Sequence, residues 1–242
     1  MANTSNFRKA MAEARQNALV GPNVIPNALP YVGGGLVLTA VGTYGGLELL
    51  ATNPGLFMTT FWVALIAEIA LFFIGSNIAQ KANNATALPL LATYSLLSGY
   101  TLTGIVAQAL GTQDVGIGGI GFAALACGIT FIAARPIANR LSEEDGLALT
   151  QTFSLGLIGL LLVIGIQLLL GLFGIHTPTF FELAISGFGV VLFMGSAVVD
   201  FFILPRTYND RQYLSAALSM YLTYINLFIF LLRFLIALNS RD

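Results

Sequence analysis

Long apolar stretches, broken only by short polar segments, dominate the chain from Tyr31 onward. Seven of them predict helices, over Tyr31–Leu50, Phe57–Ala79, Leu88–Leu110, Ile117–Ala134, Leu149–Gly174, Leu183–Leu204 and Leu214–Leu238. Each reaches or approaches the roughly 20 apolar residues that cross hydrocarbon at about 1.5 Å of rise per residue. A helix satisfies its own backbone polar groups, which lipid cannot do. The fourth stretch is the shortest and is rich in glycine; without it the count falls to six and the C-terminus changes side. The expected fold is all-α: a polytopic membrane bundle over residues 31–242, preceded by a cytoplasmic tail and linker over residues 1–30.

Composition agrees with this pattern. Only 9% of the 242 residues are charged and 57% are hydrophobic, against roughly 25% charged in soluble domains. The net charge of -1 supplies no basic footprint for nucleic acid. With one cysteine (Cys127) and one histidine (His176), no intrachain disulfide, thiolate cluster or multi-histidine centre can form. Cys127 sits in an apolar run, where a thiol packs as a small hydrophobe. No cofactor motif is present, and the glycines of YVGGGL and GIGGIGF lie in apolar helices rather than between a strand and a helix.

Charge placement orients the spans. With the N-terminus inside, Arg8, Lys9, Arg15, Lys81, Arg135, Arg140, Arg206 and Arg211 fall in the tail or in inner loops, and only Arg241 falls outside. This positive-inside bias predicts a cytoplasmic N-terminus and an outer C-terminus, in a bacterial inner or cytoplasmic membrane; a thylakoid membrane is the other setting considered. The opening residues are too polar for a cleaved signal, and Ala2 stands where N-myristoylation requires glycine. Asn3–Leu19 can form a short helix with Phe7, Met11, Ala14 and Ala18 on one face, either lying on the membrane surface or solvated. The following GPNVIPNALP reads as an extended linker, and all eight prolines are expected at or beyond helix ends. Gly42/Gly46 and Ala124/Gly128 form small-xxx-small pairs suited to close helix packing.

Ionisable residues within the spans are the candidate functional groups, because each is costly in hydrocarbon. Glu68 lies near the middle of the second span, about 16 Å below the outer face, and Arg233 lies in the outer half of the seventh. A structural ion pair between them is expected, with a gating or ion-path role as the other reading. Asp200, in the inner half of the sixth span, has no cation at its depth; Arg206 is the nearest. It is a candidate proton-sensitive site, with Thr223, Tyr224 and Asn226 as possible hydrogen-bonding neighbours. A water-exposed carboxylate near a helix end is the plainer reading.

The stretch Ala216–Arg233, AALSMYLTYINLFIFLLR, closely resembles the signature of the Bax inhibitor-1 (TMBIM, or YccA-like) family. VVDFFI, LVLTAVGTYGG and YSLLSGYTL resemble further family landmarks, so that the likeness covers residues 31 to 242. The resemblance implies seven helices with the seventh at the centre. It also implies either pH-sensitive calcium or cation leak, involving Ca2+ and protons, or regulation of other membrane proteins, such as restraint of an FtsH-type membrane protease. Neither is enzymatic. In leak-type members two aspartates on helices six and seven form a proton-sensing pair. The first matches Asp200; the second matches Thr223, so the pair is broken here. Glu68 and Arg233 match an intramembrane acid and base of those members.

Overall fold

A computed structural model of the chain describes residues 19–81, 83–174 and 178–240. The expected tail helix falls almost wholly outside these residues, as does His176. Seven helices are long and apolar enough to cross a membrane: α1 (Val24–Thr52), α2 (Pro54–Gln80), α3 (Asn84–Gly111), α4 (Gly116–Ala138), α5 (Glu143–Leu172), α6 (Thr179–Thr207) and α7 (Tyr213–Asn239). A single 3-10 turn, Asp210–Gln212, precedes α7. Every expected span is present, and no strand occurs among the described residues.

The last helix organises the bundle. α7 packs against α6, α1, α3, α4 and α2, while α5 leans chiefly on α6. Met220, Tyr221, Leu227 and Leu232 of α7 are fully buried, whereas α5 turns Leu155, Leu161 and Leu162 outward, as a helix facing lipid does. Cys127 is buried against Leu192, Phe193 and Phe230, as a small hydrophobe.

The presumed linker is helical. α1 begins at Val24, so that Pro26 falls in its first turn and Pro30 inside it. Pro26 loses only an N–H that has no helical partner there. Pro30 gives up one helical bond, but the turn around it buries Val24, Ile25 and Ala28 in the main core cluster. Pro89, Pro136 and Pro205 also lie within helices. The expectation that prolines stay at or beyond helix ends therefore holds only in part: the spans are longer than their most apolar stretches.

The start of α1 is clasped to the α6–α7 connection. The Gly21 amide donates to the Pro205 carbonyl at 3.0 Å. Asn23 donates from its backbone amide and its side chain to the two Asp210 carboxylate oxygens, at 2.8 and 3.1 Å. Gly21 is required here, since a Cβ would stand 2.3 Å from the Tyr208 carbonyl oxygen.

α5 starts at a well-formed cap. The Ser142 hydroxyl accepts from the Asp145 amide at 3.1 Å and donates to the Asp145 carboxylate at 2.6 Å. Glu143, Glu144 and Asp145 place three acids in the first turn, where the helix dipole favours them. Ser142→Ala is expected to lower stability by about 1 kcal/mol, read as a lower denaturation midpoint in detergent micelles.

Candidate functional site: intramembrane acids around the central helix

Three carboxylates sit at different depths of the bundle, each held by different chemistry. Asp200 on α6 is 6% exposed. It faces a stripe of hydroxyl residues on α7, where Ser215, Ser219 and Thr223 recur every four residues and share one helix face. Ser219 donates to one carboxylate oxygen at 2.8 Å, and Thr223 donates to the other at 2.6 Å. No cation among the described residues joins them. Arg206 turns back instead, donating to the Phe202 carbonyl at 2.6 Å and lying 3.8 Å from the centre of the Phe202 ring. Burial and the nearby Asp200 charge push the Tyr208 phenol, beyond the end of α6, above its usual pKa.

Of the neighbours expected for Asp200, the structure brings in Thr223 alone. Asn226 donates to the Leu222 carbonyl one turn back on its own helix, and Tyr224 donates to the Ala124 carbonyl on α4. Asn226 thus makes its hydrogen bond within α7 rather than to Asp200. Ser219 was missed, although its position one helical turn before Thr223 is the signal that finds it.

The expected Glu68–Arg233 pair is also corrected. Arg233 instead bonds Glu182 on α6 at 2.7 Å, the only ion pair among the described residues. Gln167 of α5 donates to the other Glu182 oxygen, also at 2.7 Å. Depth explains the outcome. Glu182 is three residues from the start of α6 and Arg233 six from the end of α7, at the shared end of two adjacent antiparallel helices. Glu68 lies 14 residues into α2, and α2 rests mainly on α3. It accepts a hydrogen bond from Thr101 of α3 at 2.7 Å, with Ser98 and Tyr94 of the same helix close by.

Above Arg233 and Glu182 opens a cavity of about 370 Å³, walled also by Ile105, Gln108, Thr179 and Ile236. Below them the α6–α7 seam is closed by apolar side chains. Phe193 and Phe230 stack at 5.5 Å, and Gly189 admits the Phe230 ring so closely that a Cβ would stand 2.2 Å from it. This layer lies between the cavity and Asp200 along the α6–α7 seam. No group of three or more His, Cys, Asp or Glu suited to a metal occurs among the described residues.

Seven spans, of which the last packs against five others, with buried Asp200 and partly buried Glu68 and Glu182, define a multi-pass α-helical membrane protein. The family model described as "Inhibitor of apoptosis-promoting Bax1" matches residues 21–241, and the chain belongs to this Bax inhibitor-1 family. It is similar to an uncharacterized membrane protein of Streptococcus pyogenes serotype M1, 30% identical over 180 residues, which are 72% of each chain. An uncharacterized protein of Deinococcus radiodurans is 30% identical over 223 residues, 88% of each chain. One of Helicobacter pylori is 26% identical over 243 residues, 98% of this chain and 97% of the relative.

Proposed function

We propose that this protein is a pH-influenced leak for calcium or a similar cation, with Asp200 as its gating acid. The supporting observation is the Asp200 clamp: a carboxylate buried at the α6–α7 contact, held at both oxygens by hydroxyls and by no cation. Protonation turns an acceptor-only group into one that also donates. Ser219 or Thr223 must then reverse its bond, and the charge-assisted hydrogen bonds that hold α6 to the central helix become weaker neutral ones, which loosens the contact. The stacked Phe193–Phe230 layer is the barrier that such loosening would open. The chain lies in a bacterial inner membrane with Lys81, Arg135, Arg140, Arg206 and Arg211 toward the cytoplasm and the C-terminus outside, and carries out no enzymatic reaction. In support, these five cations sit at the same end of the bundle, at or beyond the ends of α2, α4 and α6.

Calcium flux into proteoliposomes, measured from mildly acidic to mildly alkaline pH, tests this reading. Wild type is expected to conduct with a rate that depends on pH, and Asp200→Asn to conduct with that dependence lost. An absence of flux at every pH would remove the leak reading.

A second reading is favoured by Thr223. A hydroxyl there donates to Asp200 but cannot share a titrating proton with it as a second carboxylate would. On this reading the chain is a non-conducting regulator that binds other membrane proteins, such as an FtsH-type protease, through its cytoplasmic tail. Copurification with such a protease that is lost on deletion of residues 2–18, which leaves α1 and its clasp intact, would support it.

A further inference from the structure

We propose that Glu68 is a second, separate proton-binding site, built into the α2–α3 contact and served by hydroxyl groups alone. The partners of the three acids sort them by chemistry. Glu182 has among its partners a guanidinium and an amide N–H, groups that only donate. Glu68 has no such partner. Thr101 donates to it at 2.7 Å, with the Ser98 and Tyr94 hydroxyls nearby. A hydroxyl donates to an ionised carboxylate and, after rotating, accepts from a protonated one, so this shell serves both forms.

The surroundings extend that capacity. Tyr94 packs edge-on against Tyr221 of α7 at 5.9 Å. The Tyr221 hydroxyl shares a 2.6 Å hydrogen bond with Thr39 of α1, in which either oxygen can be the donor. Ser95, one residue from Tyr94, is fully buried, and its hydroxyl oxygen has no hydrogen-bond partner. An orphaned buried hydroxyl calls for a specific explanation, and Ser95 lies by Gly35 and Tyr221, on the side of this cluster away from Glu68. The titratable groups near Glu68 are Tyr94 of α3 and Tyr221 of α7; Tyr100 of α3 lies further toward the outer end, bonded to Thr60. α1 contributes the Thr39 hydroxyl to the cluster but no charged side chain. Arg233, the cation on α7 within the membrane, is engaged by Glu182. The arrangement lies mid-membrane, 14 residues into α2 and 17 into α3, where an unpaired ionisable group points to function. Asp200 and Glu68 are thus proton sites on different neighbours of one central helix, and the second stands whether or not the chain conducts.

Carbodiimide labelling of the full chain in lipid nanodiscs tests the proposal. Dicyclohexylcarbodiimide adds to protonated carboxyls in apolar surroundings. Peptide mass mapping is expected to place an adduct on Glu68 whose yield falls as pH is raised, retained in Asp200→Asn and lost in Glu68→Gln. Infrared difference spectra supply a check that does not depend on reagent access: a carboxylic-acid C=O band that titrates in wild type and is missing from Glu68→Gln. Either result supports the site. Absence of both the adduct and the Glu68-dependent band across the pH range overturns it, and because neither readout involves flux, that failure is separate from failure of the leak reading.

Discussion

Replacing Gly99 by alanine is expected to lower the stability of the bundle by about 3 kcal/mol, the upper end of what overpacking a tight contact costs. Along the α1–α3 seam the two backbones touch. A Cβ on Gly99 would stand 2.0 Å from the Thr39 carbonyl oxygen and 2.8 Å from the Thr39 Cα; one on Gly42 would stand 2.2 Å from the Leu96 carbonyl oxygen. Backbone atoms cannot rotate aside, so the helices must separate. Separation also stretches the hydrogen bonds that cross the seam, from Thr39 to the Ser95 carbonyl at 3.2 Å and from Thr43 to the Gly99 carbonyl at 2.8 Å. In lipid such packing and polar contacts replace the hydrophobic drive that water would give. Gly45, one position before the seam residue Gly46, is the control, since a Cβ there meets nothing within 4 Å. Gly45→Ala is expected to be neutral or to stabilise by up to about 1 kcal/mol through helix propensity. Denaturation midpoints of the two variants in one detergent provide the comparison, and equal midpoints would refute the close-contact account.

The second large effect is expected at the Arg233–Glu182 ion pair. Glu182→Ala leaves the Arg233 guanidinium without its carboxylate, and Arg233→Met leaves Glu182 without its cation. Each is expected to cost about 2 kcal/mol, less than the roughly 3–5 kcal/mol for breaking a fully buried pair, because the side chains remain 27% and 30% exposed. The double variant should lie nearer wild type than the sum of the singles, with a coupling of about 1–2 kcal/mol. The same cycle with Glu68→Gln and Arg233→Met is expected to show coupling near zero. Strong coupling there and none at Glu182 would mean that Arg233 pairs with Glu68 after all.

That contrast also marks where sequence reading stopped. All seven spans were legible because hydrocarbon demands long apolar runs, whatever packs against them. The central last helix was legible only through family resemblance, since α7 is no more apolar than its neighbours and its burial comes from tertiary contact. Asp200 and Thr223 could be matched by counting depth along α6 and α7. Glu68 and Arg233 were paired because both carry charge, but opposite sign at roughly similar depth does not make two helices neighbours. Glu182 was overlooked because the sixth span was read as starting at Leu183, which placed the acid just outside it; α6 in fact begins at Thr179. The prolines misled for a related reason. They mark where the apolar run ends, while the helices continue into the interface, where Val24 and Ile25 still find partners. Gly42 and Gly46 were read correctly as a close-packing pair, but no neighbour lies within 4 Å of a Cβ on Gly128, so that half of the Ala124/Gly128 pair packs against nothing.

The clasp between Asn23 and Asp210 ties the start of α1 to the turn just before α7, two segments 187 residues apart. A nascent chain that has inserted α1 to α5 has no partner for Gly21 or Asn23, and the faces of α1 and α3 that α7 covers lie open to lipid. The bundle therefore closes only when the hairpin of α6 and α7 is in place. Chains interrupted before residue 210 would remain recognisably incomplete to cellular proteolysis.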